Sequence, residues 1–295
     1  MRLDKVIRVQ NPNYLFLYLT ISEAAAPGKV ALSFYEGKRV KETFQFELLP
    51  REPGRESLQG FNSADAMYLI TPDRFANGNP DNDEVAGMKE GLNRTFKGGR
   101  HGGDIQGIRE HLDYIAGLGF TAVWINPVLE NDMPSYSYHG YAATDFYQVD
   151  RRFGSNEEYK ALCDAAREKG IKIIMDMIVN HSGSEHWFVK DPPAADWLNK
   201  QEAFAPTTHM RYVNQDPYAS EYDKQAFSDG WFVRTMPDLN QRNELMADYL
   251  VQNTLWWIEY AGISGIRMDT YPYPDKDFMI ICVLETRCLQ ALEEK

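Results

Sequence analysis

A chain of 295 residues with a formal net charge of −12 is long enough to bury a sizeable core, and its acidic excess disfavours negatively charged partners. The charge argues against nucleic acid and acidic lipid surfaces, and it favours a neutral or cationic ligand. Aromatic residues make up 13% of the chain; most are expected to pack in the core, and exposed ones would suit the stacking of a sugar or a base. Because the sequence contains no apolar run of about 18 residues, we expect no membrane span.

Residues 1–50 predict a small β-domain. Its four strand-like runs are separated by turn-forming clusters, and they lie at 6–9, 14–21, 30–36 and 43–49. A segment of this length is too short for an independent β-sandwich. We therefore expect an incomplete β-sandwich that either packs on the rest of the chain or lacks its first strands. Pro, Gly and charged residues then collect in 51–62, which indicates a linker.

From residue 63 onward the pattern alternates between strands and helices. Strands are predicted at 66–70, 121–128, 171–179 and 263–269, and amphipathic helices at 105–119, 156–170, 243–262 and 276–294. Asn156 and Gly170 fit the N-cap and the C-cap of the second helix. Apolar strands that alternate with amphipathic helices indicate a parallel sheet covered by helices, either half of a (β/α)8 barrel or half of a doubly wound sheet.

Polar residues at the strand ends favour the barrel. They are Asp73 and Arg74 after the first strand, Asn126 after the second, Asp176, Asn180 and His181 at the third, and Arg267 and Asp269 at the fourth. In a barrel these ends converge on one mouth, and no Gly-rich phosphate loop supports the nucleotide-binding alternative. The predicted fold is therefore α/β, a partial TIM barrel at 63–295 with an inserted subdomain at 182–242, after the third strand.

Several segments, taken together, resemble the alpha-amylase family, glycoside hydrolase family 13. They are 119–128, 138–150, 176–181 and 265–269. The N-terminal β-domain, 71–83 and 102–108 are similar to the neopullulanase and cyclomaltodextrinase branch of that family. The resemblance implies a retaining glycoside hydrolase that acts on the α-1,4 bonds of maltodextrin, cyclodextrin, pullulan or starch by double displacement.

Retaining chemistry requires a carboxylate nucleophile and, about 5 Å away, a carboxyl group that protonates the leaving oxygen. Asp269 fits the nucleophile, and Arg267, two residues earlier on the same strand, would point the same way and keep Asp269 ionised. An ordinary ion pair at the rim of a sheet is the alternative. The resemblance further implies that His181 and His139 bond sugar hydroxyls, and that Tyr141 stacks on the sugar ring.

Oxygen-bearing side chains are dense in 77–83, at Asn77, Asn79, Asn82 and Asp83. Hard cations such as calcium take six to eight oxygen ligands, which such a cluster can offer. The resemblance implies that the Gly102 carbonyl and Asp104 complete a calcium site. An Asx-rich turn that binds no metal is the alternative.

The family resemblance places the acid glutamate at the end of a fifth strand. Only ten residues separate Asp269 from the strand-like run 280–286, which ends near Glu285, whereas a parallel crossover needs a dozen or more. We therefore expect 276–294 to be an outer helix and the chain to be C-terminally truncated, with impaired or absent activity. A non-catalytic α-glucan-binding protein is the alternative function.

The predicted half-barrel leaves an unpaired strand edge, which makes a homodimer an open expectation. No apolar signal-peptide segment is visible near Met1. We expect a cytoplasmic protein if Met1 is the true start, and a periplasmic or secreted one if an upstream signal peptide is missing.

Overall fold

The computed structural model describes residues 1–51 and 58–293, with side chains up to residue 286. Half of the linker predicted at 51–62 falls on 52–57, which lie outside the described residues, as do 294 and 295 at the end of the predicted barrel segment. No helix in the described part of the chain is both long enough and apolar enough to cross a membrane.

The first 48 residues form two antiparallel hairpins. Strand β1 (Arg2–Arg8) pairs with β2 (Leu15–Thr20), and β3 (Gly28–Glu36) pairs with β4 (Arg39–Leu48). The four predicted strands are present, but the two hairpins are not joined into one sheet within the described residues. Each strand pairs with its neighbour in sequence, so the register of each hairpin is set locally by its turn.

The first hairpin packs on the remainder of the chain. The Asn11 amide donates to the Pro193 carbonyl at 3.1 Å, and the Phe16 ring lies 5.7 Å from the Trp197 ring. The Tyr18 hydroxyl also bonds the Asp248 carboxylate. Polar and aromatic contacts of this kind fix the hairpin against the segment that follows the third parallel strand.

The remaining strands are β5 (Met67–Ile70), β6 (Ala122–Ile125), β7 (Leu129–Glu130), β8 (Asp145–Val149), β9 (Lys172–Met177) and β10 (Gly265–Met268). Strands β5, β6, β9 and β10 form a parallel sheet in that order, and β7 pairs with β8 in an antiparallel ribbon. The predicted partial barrel is therefore confirmed. Because all four strands run in one direction, their carboxyl ends lie along one edge, the mouth.

The helices are α1 (Pro72–Phe75), α2 (Ile105–Glu110), α3 (Leu112–Gly117), α4 (Asn156–Glu168), α5 (Trp187–Lys190), α6 (Glu221–Ser228), α7 (Glu244–Ala261) and α8 (Lys276–Glu293). The outer helix predicted at 276–294 is thus confirmed as α8, and Glu285 lies exposed on it. Helix α7 begins after its N-cap Asn243, whose side chain accepts from two backbone amides, and ends before Gly262 at φ 64°.

Two local predictions were wrong. The single helix predicted at 105–119 is broken at His111, because its ring nitrogen Nδ1 bonds the Gly107 carbonyl at 2.7 Å. An unbroken helix would offer that carbonyl to the His111 backbone amide. The N-cap of α4 is Ser155 instead of Asn156, since Ser155 and Glu158 form a capping box.

Candidate active site

A buried carboxylate, Asp176 on β9, lies at the centre of the mouth and is fully shielded from solvent. Its Oδ2 atom accepts a hydrogen bond from Trp124 Nε1 at 2.9 Å and one from the Tyr141 hydroxyl at 3.0 Å. Arg267 Nη1 lies 3.0 Å from Oδ1. Asp176 therefore ties together β6, the loop after β7, and β10.

Arg267 and Asp269 form an ion pair at the end of β10, with Nη1 and Oδ1 2.6 Å apart. Arg267 is directly opposite Asp176 in the β9–β10 register, which explains why one guanidinium reaches both carboxylates. The Asp269 backbone amide donates to the Met177 carbonyl at 2.8 Å and extends the sheet bonding beyond β10. The carboxylate of Asp269 is consequently held beside Arg267, and only 6% of the residue is exposed.

The Tyr141 hydroxyl connects the ion pair with the other two strands. Asn126 Nδ2 donates to that hydroxyl at 2.6 Å, and the Thr71 hydroxyl donates to Asn126 Oδ1 at 2.7 Å. Thr71 follows β5 and Asn126 follows β6. A continuous set of side-chain bonds therefore crosses all four strand ends, and we call it the strand-end network: Thr71, Asn126, Tyr141, Asp176, Arg267 and Asp269.

Two histidines flank Tyr141. His181 Nε2 donates to the Tyr141 carbonyl at 3.0 Å, so Nδ1 carries the lone pair, and this buried atom has no hydrogen-bond partner in the described part of the chain. His139 Nδ1 accepts from the Tyr141 backbone amide at 2.9 Å, which leaves Nε2 as a donor. The half-buried His139 thus has a ring donor left for a hydroxyl group, whereas the remaining acceptor of His181 is shielded from solvent.

Burial sets the protonation of these groups. Desolvation lowers the pKa of His181 to about 4, and it also lowers the pKa of His139, so both rings are neutral at pH 7. Burial raises the pKa of Asp176 to about 6, against the opposing effect of Trp124 and Arg267. Burial, followed by the charge of Asp176, raises the pKa of Tyr141 well above its usual range. The two histidines are therefore neutral polar groups, and the single Arg267 guanidinium faces the two carboxylates of Asp176 and Asp269.

The oxygen-rich loop consists of residues 77–83 together with Gly102 and Asp104. Asp104 is the N-cap of α2, and its two oxygens accept the amides of Gly107 at 2.6 Å and Asn79 at 2.8 Å. The side-chain oxygen of Asn79 accepts the Asp81 amide at 3.2 Å. Asp104 and Asn79 therefore use their oxygens to shape the loop.

The side-chain oxygens of Asp83 and Asn82, unlike those of Asp104 and Asn79, accept no backbone amide of the loop. Asn82 Oδ1 is buried and has no partner among the described residues, and burial raises the pKa of Asp83 although Asn77 Nδ2 donates to it at 2.7 Å. Gly102 has φ 89°, and a Cβ atom there would lie 2.2 Å from Asp83 Oδ1. The described residues hold no cluster of three His, Cys, Asp or Glu side chains suited to a metal, so a cation here would depend on amide and carbonyl oxygens as well.

The sequence prediction missed Trp124 as a member of the mouth. It lies two positions before Asn126, and that spacing puts both side chains on one face of the strand. In the inserted segment, Trp197 is fully buried in the core and so cannot line a sugar subsite. A separate open cleft of about 1510 Å³ lies between 209–229 and 271–280, and its lining includes neither Asp269 nor Tyr141.

Comparison with known proteins finds two family matches. The family described as alpha amylase, catalytic domain, matches residues 69–280, and the family described as cyclomaltodextrinase, N-terminal, matches residues 1–52. A cyclomaltodextrinase of Geobacillus thermopakistaniensis is 33% identical over 72% of this chain and 34% of its own length. A beta/alpha-amylase of Paenibacillus polymyxa is 35% identical over 74% of this chain and 17% of its own length.

Solved structures of alpha-amylases are also similar to this chain. An Anoxybacillus alpha-amylase is similar with a TM-score of 0.63 and 33% identity, over 77% of this chain and 45% of that one. An alpha-amylase of Geobacillus thermoleovorans, solved with acarbose, has a TM-score of 0.61 and 33% identity, over 76% and 44%. The chain spans about a third or less of the two curated relatives named above and less than half of these two solved chains.

Proposed function

We propose, since this chain belongs to the alpha-amylase family, that its mouth binds an α-1,4-linked glucan and supplies the nucleophile of a retaining glycoside hydrolase. Maltodextrin, cyclodextrin, pullulan and starch are the substrates that we propose. The strand-end network carries the proposal, because it holds the Asp269 carboxylate 2.6 Å from Arg267, beside a half-buried aromatic ring and two neutral histidines. Curated relatives named as cyclomaltodextrinase and maltogenic alpha-amylase support it.

In the proposed reaction, an Asp269 oxygen attacks the anomeric carbon as the glycosidic C–O bond breaks. A protonated carboxyl group gives its proton to the leaving oxygen, and water later cleaves the glycosyl ester with retention. The Arg267 guanidinium, 2.6 Å from Asp269, keeps the nucleophile charged and aimed. Tyr141 presents its ring to the sugar, while His139 and His181 bond its hydroxyls.

A non-catalytic α-glucan-binding protein is a second candidate function. Asp176 is the carboxyl that shares Arg267 with Asp269, but it is completely buried and already bonded by Trp124 and Tyr141. It is therefore unsuited to protonate a leaving oxygen, and Glu285 lies exposed on the outer helix α8. General acid assistance contributes about 10² to 10⁴ in rate, so binding without turnover is the expected behaviour if no other acid is supplied.

Two measurements on maltoheptaose distinguish these functions: release of reducing sugar, and calorimetric binding. The hydrolase predicts turnover that Asp269→Asn abolishes, whereas the binding protein predicts affinity without turnover. Asp113→Asn is the control, because Asp113 is an exposed carboxylate paired with Lys169 on the outer surface. If the chain neither binds nor hydrolyses maltoheptaose, both functions are rejected.

We also propose that the oxygen-rich loop binds calcium. The orphaned Asn82 Oδ1 and the partly buried Asp83 carboxylate fit a hard cation, and the Gly102 carbonyl, Asn77, Asn79 and Asp104 would complete the ligands. The ion would neutralise Asp83 and clamp the loop to the start of α2. Thermal melting with calcium and with chelator tests this, and identical melting temperatures would reject it.

A further inference from the structure

The loop between β7 and β8 carries both His139 and Tyr141, and its backbone is held in an unfavourable conformation. Tyr136 has φ 60°, in the left-handed region that only glycine adopts at little cost. A short 3-10 helix, Ser137–His139, follows at once. Such a turn presents backbone amides at its start that need acceptors, and its strain persists only if other groups enforce it.

Glu90 supplies these acceptors from a distant part of the chain. Its Oε1 atom accepts the Tyr136 amide at 3.1 Å, and its Oε2 atom accepts the Ser137 amide at 2.6 Å. A second contact comes from buried Arg100, whose Nη1 donates to the Ser137 hydroxyl at 3.3 Å. One carboxylate therefore holds the two consecutive amides that begin the turn.

Glu90 is itself fixed by a buried ion pair. Arg152 Nη1 donates to the Glu90 carbonyl at 2.7 Å. The same guanidinium bonds Asp150 through Nε at 2.9 Å and Nη2 at 2.8 Å, and both partners are almost completely buried. Because the Glu90 backbone is anchored in this way, its half-buried side chain is aimed at the turn.

The turn transmits its position to the strand-end network. His139 is the last residue of the 3-10 helix, and its ring accepts the Tyr141 amide. The Tyr141 hydroxyl then bonds Asn126 and Asp176. A shift at the start of the turn therefore displaces both groups that we propose to contact the sugar.

We propose that Glu90 is a positioning residue for α-glucan binding, which acts by holding the Tyr136–Ser137 backbone and thereby setting His139 and Tyr141. The proposal rests on the proposed function of the mouth and deepens it. Glu90 does not touch the sugar in this scheme. Its carboxylate replaces the solvent that would otherwise compete for the two amides of a strained turn.

The test compares Glu90→Ala and Glu90→Gln with Glu84→Gln. Glu84 is a matched control, because this exposed glutamate of the same segment also accepts a backbone amide, that of Leu92 at 3.3 Å. Maltoheptaose affinity is measured by calorimetry, and amide hydrogen exchange is measured across the chain. We expect Glu90→Ala to weaken affinity about tenfold and to speed exchange in 136–141, but not in β9 or β10.

A double-mutant cycle with Tyr141→Ala separates positioning from general stability. If Glu90 acts through the loop, Glu90→Ala has a smaller effect on affinity in the Tyr141→Ala background, because only His139 then remains to be displaced. Glu90→Gln keeps one carbonyl acceptor and should recover part of the affinity, and Glu84→Gln should match the wild type. Equal losses in both backgrounds, or wild-type affinity and exchange in Glu90→Ala, would overturn the proposal.

Failure of the proposed function has a different signature. In that case the wild type itself binds no maltoheptaose, and the proposal that Glu90 supports glucan binding falls with it. Exchange in 136–141 still reports whether Glu90 holds the turn. A wild type that binds, together with a Glu90→Ala variant of equal affinity, rejects the positioning role alone.

Discussion

The mouth and the oxygen-rich loop both contain buried carboxylates, but they differ in the arginine that accompanies them. Asp176 and Asp269 each lie within 3.0 Å of Arg267, whereas the cation near Asp83 is the largely exposed Arg94 at 3.3 Å. Asp104 and Asp73 add negative charge beside Asp83. A partly buried arginine between two carboxylates lowers the negative charge that a neutral ligand would meet, whereas an exposed arginine leaves more of the negative charge around Asp83, which suits a cation.

The largest effect is expected from Arg267→Ala, which leaves Asp176 buried without its charged partner. We expect the free energy of unfolding to fall by about 3 kcal/mol, at the lower end for buried pairs because Arg267 is partly exposed. Urea unfolding measures this change. Arg151→Ala removes an exposed pair with Glu130 and should cost less than about 1 kcal/mol. Equal losses of unfolding free energy in the two variants would show that the ion pairs of Arg267 stabilise the mouth no more than an exposed ion pair does.

Calcium should stabilise the oxygen-rich loop and leave the mouth unaffected. At about 100 times its dissociation constant, a bound ion adds about 2.7 kcal/mol to the free energy of unfolding. Asp83→Asn should lose most of that gain, whereas Asp81→Asn, at an exposed neighbour, should keep it. Differential scanning calorimetry provides the measurement. An equal calcium response in wild type and Asp83→Asn would contradict the assignment of Asp83 as a ligand.

The raised pKa of Asp176 should make the stability of the protein depend on pH. Its pKa is raised to about 6 in the folded state from a usual value of 3.8, so between these values the folded state binds more protons. The stability that protonation of Asp176 contributes is therefore present below pH 3.8 and is lost as the pH rises through 6.

Urea unfolding between pH 4 and 7 tests this sign. The stability of the wild type relative to Asp176→Asn should fall with rising pH, by an amount on the order of 2 kcal/mol. His181 contributes in the opposite direction, because its pKa is lowered to about 4, but it is present in both proteins and cancels. A pH-independent difference would mean that burial does not raise the pKa of Asp176.

The smallest losses of stability are expected when single polar groups are removed, and they should differ between a group that is hydrogen-bonded and one that has no partner. Tyr141→Phe removes the hydroxyl that joins Asn126 to Asp176 and should cost about 1 kcal/mol in unfolding free energy. Asn82→Ala removes an acceptor without a partner and should cost almost nothing in chelator. With calcium present, the Asn82 variant should lose part of the metal stabilisation. Thermal melting of both variants, with and without calcium, measures the contrast.

Periodicity in the sequence was sufficient to predict the parallel strands and their helices, because buried strands and amphipathic helices have different repeats. The break at His111 was missed, since it arises from competition between a side chain and the backbone for one carbonyl. Ser155 was overlooked beside Asn156, although the Ser-x-x-Glu spacing of a capping box marks it.

The site was predictable to the extent that parallel strand ends must converge. This reasoning placed Arg267 and Asp269 together and pointed to Asn126. Glu90 gives no such signal, because it reaches the Tyr136 turn through the packing of an irregular segment 46 residues away. The repeat of a strand or helix contains no information about contacts of this kind.

A crystal structure of the chain with maltoheptaose tests the central claim most directly. We predict a glucose unit stacked on the Tyr141 ring, with its anomeric carbon facing the Asp269 carboxylate and its hydroxyls bonded to His139 and His181. Sugar found only in the cleft lined by Tyr212 and Tyr271, with the mouth unoccupied under saturating ligand, would contradict the account.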